Sequence, residues 1–464
     1  MSDADVAATP PGPPARRAGF LGSVAYYLDF AIDPIGFVAG RFARFGDLYY
    51  VPGPGRAASD EPAARARHPG LFVLRHPDHM MEVLVTRASK FEKTHSAFER
   101  LSEFLGHGLL TADGDAWRRH RSMVNPAFGK KRLAGYARLM AAEAQRTLGA
   151  WQHGEERDVG RDMMELTLRA VSRTLFQHDV SDQTDQVARA MSAFHEAVGQ
   201  PDLLPTWVPT PGRRRTRRAT ESLDRIIYGM IEARRRAPAA EDADLLQMLL
   251  SAVGDDGETR LDDREVRDEL VTLFLAGHET TAHALTWTWY LLGQSPHAEA
   301  ELHAELDRVL DGRAPTAEDL PSLPYTQQVV EESMRIYPPA YVVGRRAADD
   351  TEVGGFRVPR GSELILWILL THRDERWWPD PQAFRPERFA PAEAAKRPKG
   401  SYLPFGAGPR ACVGKAFAMI EAQLVLATLA QRFRLEPAGR VPVTVRPRIT
   451  LCPSEPIRMR LARR

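Results

Sequence analysis

The chain has 464 residues, and 43% of them are hydrophobic, enough for a sizeable core. Its 62 basic and 61 acidic residues leave a net charge of +1, which excludes the electrostatic footprint of a nucleic-acid binder. Two cysteines exclude both a disulfide framework and a zinc cluster, and fit a reducing compartment.

Residues 1–18 are rich in Ala and Pro and contain no apolar run, so they read as a disordered tail with no secretory signal. No Gly/Ser-rich linker or charge break divides residues 19–464, which read as a single domain. No segment reaches the roughly 18 unbroken apolar residues of a membrane span. A soluble, cytoplasmic chain with no membrane anchor is expected.

In chain order, Leu71 to Arg75 reads as a strand, after a long polar loop from Pro52 to Pro69 that looks like an insertion. Helical spacing follows over Arg132–Trp151, Asp162–Phe176 and Arg217–Arg236. The run Arg213-Arg214-Arg215-Thr216-Arg217-Arg218 reads as a solvated helix start. Asp262–Leu292 is the longest helical pattern, about 46 Å if unbroken. Gly293 and Pro296 stop it. Short β-rich runs come late, at Ala340–Ala347, Thr351–Val358 and Glu363–Leu369, and Val441–Leu461 reads as extended. The fold class is mainly α with a small β portion.

Four motifs carry chemistry. The first is Ala276-Gly277-His278-Glu279-Thr280-Thr281, inside the longest helix. A mid-helix Gly is unfavourable by about 1 kcal/mol against Ala. The threonines can bond back to carbonyls one turn earlier. Either something approaches this backbone closely, or the helix carries a packing notch. An acid beside a hydroxyl also suits proton delivery. His278-Glu279 with His283 is one residue too long for a zinc-protease H-E-x-x-H. Five helical steps set the histidines about 140° apart, so they cannot share a metal.

The second is Glu332-x-x-Arg335, an acid and a guanidinium on one helix face. The bland reading is a surface ion pair. An arginine from the third, Pro386-Glu387-Arg388-Phe389, could complete a three-member charge network. The fourth is Phe405-x-x-Gly408-x-Arg410-x-Cys412-x-Gly414, where a glycine-rich turn meets a helix. Aligned N–H groups at a helix start favour a thiolate. Such a sulfur suits one large metal cofactor. Elsewhere, Trp117 and Arg121 lie one turn apart, a pair suited to a carboxylate.

In this order the motifs resemble the cytochrome P450 family of heme-thiolate monooxygenases, from roughly Pro34 to the C-terminus. The resemblance implies the P450 fold, with the long central helix over a heme. It implies heme b (iron protoporphyrin IX) with Cys412 as axial thiolate ligand. Phe405 would pack by the sulfur, and Gly406, Gly408 and Gly414 would let the loop backbone donate to it. Trp117, Arg121, Arg345 and Arg410 would hold the propionates, Arg345 in preference to Arg346. Ala276 and Gly277 would leave room for O2, Thr280 would hydrogen-bond it, and Glu279 would feed protons. Glu332, Arg335 and Arg388 would form a structural network. The intact Glu279–Thr280 pair points to the ordinary cycle driven by O2 and two electrons. These would come from NAD(P)H through a separate ferredoxin or flavodoxin plus reductase, docked near Lys396, Arg397, Lys399 and Lys415. The substrate pocket would draw on Phe98, Leu105, Leu109, Ala276, Thr280, Tyr341 and Val342, with a further contact region around Pro201–Pro211. An apolar terpenoid, steroid or fatty-acid-like small molecule is expected, bound by a monomer.

Overall fold

The computed structural model describes residues 10–13, 30, 32–52, 69–93, 96–178, 186–187, 189–191, 210–237, 244–252, 260–439 and 442–464. The disordered-tail reading, the insertion and most of Pro201–Pro211 lie outside these residues. So does the side chain of Phe98.

The chain forms two compact units. One comprises Met1–His95, Ala340–Ala383 and Ala395–Cys412; the other comprises Ser96–Pro339, Phe384–Ala394 and Val413–Arg464. Neither is a continuous stretch, so no linker marks them in the composition.

The first unit is built on a five-stranded sheet. Its order is Leu48–Pro52, Gly70–Leu74, Glu363–Leu366, Val343–Ala347 and Phe91–Glu92. Only the pairing of Gly70–Leu74 with Glu363–Leu366 is parallel. Side chains alternate between two buried faces, as the two-residue strand period requires. Leu48, Tyr50, Phe72, Leu74, Leu364 and Leu366 enter one cluster. Tyr49 and Val73 enter the other, with Val38 and Phe42 from the helix Pro34–Phe45. The Thr351–Val358 run is a hairpin, Thr351–Val353 against Phe356–Val358. Its turn is Gly354-Gly355, both at positive φ, the backbone such tight turns demand. Glu363–Leu369 is strand only to Leu366, and Ile368–His372 is a short helix.

The second unit is helical. Lys130–Ala150, Val159–Leu175, Pro211–Arg236, Pro296–Leu310, Pro324–Ile336 and Lys415–Ala430 are its other long members beside Asp263–Leu292. The last is entered through a capping box: Asp262 accepts from Glu265 N, and Glu265 accepts from Asp262 N. From Val266 to Leu292 every residue is buried except Ala276, Gly277, Thr280 and His283. A three-stranded antiparallel sheet closes the unit, with Arg458–Arg463 between Glu156–Asp158 and Phe433–Pro437. Among the described residues no helix is long and apolar enough to cross a membrane. The fold is mainly α with a small β portion.

Candidate active site

In the first unit the cysteine loop is fixed by its own backbone. Cys412 N donates to Phe405 O at 2.9 Å, Ala411 N to Gly408 O, and Gly406 N to Leu403 O. Leu403 N donates in turn to Nε2 of the fully buried His372 at 2.8 Å. Gly406 and Gly408 sit at φ 65° and 70°, where side chains are strained. At Gly408 a Cβ would also stand 1.8 Å from Leu84 O. Gly414, at φ −85°, caps the helix Lys415–Ala430 in a conformation open to any residue. The backbone around Cys412 is thus constrained while the residue itself is exposed. Arg410 and Phe405 are half-buried beside it in sequence.

Arg345 is buried in the strand Val343–Ala347, and its Nη1 donates to Gly344 O. Arg346 pairs instead with Glu92 at 2.6 Å, its cross-strand neighbour. Tyr341 and Val342 pack on the Phe42–Trp367 cluster, with the Tyr341 ring edge-on to Trp367. Lys396 and Lys399 are exposed, whereas Arg397 lies over the Trp378 ring at 4.4 Å.

In the second unit, Ala276 and Thr280 form the open face of a helix otherwise buried nearly all round. Thr280 Oγ1 donates to Ala276 O at 2.8 Å. Gly277 has a different reason to be Gly. A Cβ there would stand 2.7 Å from Val171 Cγ2 on the helix Val159–Leu175. The glycine expected to make room for O2 is required first by helix packing. Glu279 is 5% exposed. It accepts from Thr450 Oγ1 at 2.5 Å, and His283 Nε2 is 3.5 Å away. His278 turns elsewhere, with Nδ1 2.9 Å from Phe274 O.

Glu332 and Arg335 are not a surface pair: both are 0% exposed. Arg335 donates to both carboxylate oxygens, Nε at 2.7 Å and Nη2 at 2.8 Å. Arg385 N donates to Oε1 at 3.0 Å, and Arg388 Nε lies 3.3 Å from it. The three-member network forms as expected, with a backbone amide added. Trp117 and Arg121 are half-buried on the helix Gly114–Val124. Arg119 to Glu265 and His120 to Glu269 tie that helix to the long one. Burial pushes the Glu269 carboxyl up, against the opposing pull of His120.

Leu105 and Leu109, expected in the substrate pocket, are packed into the helical core at 2% and 8% exposure. The leucines of Leu101–Leu110 carry a core stripe as well as any pocket wall, and spacing alone does not separate the two uses. Thr450 and His283 were not read as site residues. Thr450 is 171 positions from the acid it holds, which leaves no local signal. His283 is four residues from Glu279, a spacing that was available.

The cysteine loop fits a heme iron: a backbone-constrained turn presents one exposed sulfur, the donor such an iron takes.

The Cytochrome P450 family model matches residues 65–461. The chain is 38% identical to cyclooctatin synthase of Streptomyces melanosporofaciens, over 83% of this chain and 84% of that one. It is 36% identical to cyclooctat-9-en-7-ol 5-monooxygenase of the same organism, over 87% and 85%. Pentalenene oxygenase of Streptomyces avermitilis is 33% identical, over 78% and 81%. A cysteine-bearing loop, an acid–threonine pair and a match across most of the length agree, and the chain belongs to the cytochrome P450 family of heme monooxygenases.

Proposed function

We propose that the chain hydroxylates or epoxidises a terpenoid. The overall balance is RH + O2 + NAD(P)H + H⁺ → ROH + H2O + NAD(P)⁺, with the electrons relayed by a separate ferredoxin or flavodoxin and its reductase. Heme b supplies O2 binding and O–O cleavage when bound. The observation that carries the reading is the Cys412 loop. Its amide is tied to Phe405 O, two glycines bend the chain, and the cysteine is exposed.

The side chains then divide the work. Cys412 Sγ is the metal ligand. Trp117 and the guanidinium groups of Arg121, Arg345 and Arg410 would hold the heme propionates, as charge-assisted donors do. Ala276 leaves space on the helix face, and Thr280 Oγ1 holds a proton there. Glu279 supplies that proton. Its carboxylate is buried and held by Thr450, which keeps it away from bulk water. Glu332, Arg335 and Arg388 keep the helix Pro324–Ile336 and the Pro386–Phe389 turn in register.

Of the three substrate classes open in the sequence, terpenoid is adopted. The support is the likeness to a cyclooctat-9-en-7-ol 5-monooxygenase and a pentalenene oxygenase. The test is a spectral-shift screen of terpenoids, steroids and fatty acids against the ferric protein, followed by turnover with surrogate redox partners. A terpenoid that shifts the spectrum and gains one oxygen atom is expected. Turnover of fatty acids alone would overturn the substrate assignment.

A further inference from the structure

We propose that His283 is the relay through which protons from solvent reach Glu279, by way of a pocket on the second unit. The proposal rests on the monooxygenase reading above.

Glu279 is buried and must be reprotonated during every turnover if it delivers protons. One of its oxygens carries the Thr450 contact, which anchors it. The other group on that oxygen is His283 Nε2, at 3.5 Å. The spacing of four residues puts both on one helix face. His283 is also one of the four residues between Val266 and Leu292 that are not buried. It lines a solvent-open pocket of about 280 Å³ with Asp158, Arg161, Cys452, Ser454 and Glu455. Ala276 and Thr280 do not line that pocket. Imidazole suits the position because it accepts a proton at one ring nitrogen and donates from the other. In one transfer, pocket water gives a proton to His283, and Nε2 gives one to Glu279 Oε1. His283 ends neutral, one proton has moved, and no electron has.

The bland alternative is a static contact that stiffens the helix. The substitution His283→Gln separates the two, since glutamine can keep a hydrogen bond but carries no proton. In the holoenzyme with redox partners, the variant is expected to keep its heme content and its reduced-CO signature. Its ratio of peroxide released to product formed should rise about a hundredfold, the low end of general acid–base effects. Its solvent deuterium isotope effect on product formation should also grow. Ser454→Phe adds bulk at a residue that lines the pocket and is not part of the long helix, and is expected to act in the same direction. A readout free of turnover is carbethoxylation of the resting protein, followed by peptide mass spectrometry. His283 is expected to react, more slowly than the exposed His153. Unchanged coupling and isotope effect in both variants would overturn the relay, as would an unreactive His283 after full reaction of His153. A wild-type protein without the reduced-CO signature would instead overturn the monooxygenase reading and the relay with it, a result distinct from the other two.

Discussion

Glu332 and Glu279 are both buried carboxylates on helices of the same unit, yet they are held in opposite ways. Glu332 receives two bonds from Arg335, one from the Arg385 amide, and the nearby charge of Arg388. Glu279 receives one hydroxyl and a more distant imidazole. A buried charge with every lone pair engaged is locked and serves structure. One held beside a group that carries protons can exchange them. Burial alone therefore does not mark a catalytic acid; the kind of partner beside it does.

The largest effect expected from this contrast is at the locked site. Arg335→Ala strands the Glu332 charge, and breaking a buried pair from one side is unfavourable by about 3–5 kcal/mol. Denaturant unfolding should show that loss, with little heme retained on purification. Arg335→Lys should recover only part, because lysine cannot donate the two parallel bonds. A stable, heme-replete alanine variant would break the comparison at its structural end.

Gly277→Ala comes next. The added Cβ meets Val171, and overpacking of this kind is unfavourable by about 1–3 kcal/mol. Val171→Ala in the same chain should restore the thermal midpoint. If it does not, the glycine serves the open face after all.

At the exchanging site the expected signature is kinetic. Thr280→Ala should leave unfolding nearly unchanged while diverting electrons to peroxide, with coupling down about tenfold. Tight coupling in that variant would remove the proton role from this face of the helix.

A third acid sharpens the contrast through pH. Glu421 is fully buried, and burial pushes its carboxyl well above the ordinary range, offset only in part by the Thr281 hydroxyl. A carboxyl raised on folding binds its proton more tightly in the folded chain. It therefore lowers stability progressively as pH rises above its unfolded value. Glu421→Gln lacks this term, so its thermal midpoint should gain on wild type as pH goes from 4 to 8. A constant difference across that range would show that Glu421 carries its charge in the folded state.

Much of this was legible in the sequence, for physical reasons. The long helix was legible from its unbroken helical pattern, and its end from Gly293 and Pro296. Its observed span differs from the expected one by a single residue, the cap itself. The cysteine loop was legible because positive-φ turns need glycine, and Gly406 and Gly408 are where they are needed. What escaped depends on partners far along the chain. Glu156–Asp158 is a strand only because Arg458–Arg460 lies beside it. Leu48–Pro52 gains its definition from Gly70–Leu74, across a long polar stretch. Gly277 looked like a site residue because the atom that forbids its Cβ belongs to Val171, about a hundred positions earlier. The burial of Glu332–Arg335 was not legible from the pair itself, because the i, i+3 spacing is the same whether a helix face is wet or dry.

The most direct test of the central claim is the reduced-CO difference spectrum of the purified holoprotein, wild type against Cys412→Ser. The account expects the thiolate-heme signature in wild type and its loss in the variant, at equal heme loading. The same signature in both proteins would contradict it, because the sulfur bound to the iron would then not be that of Cys412.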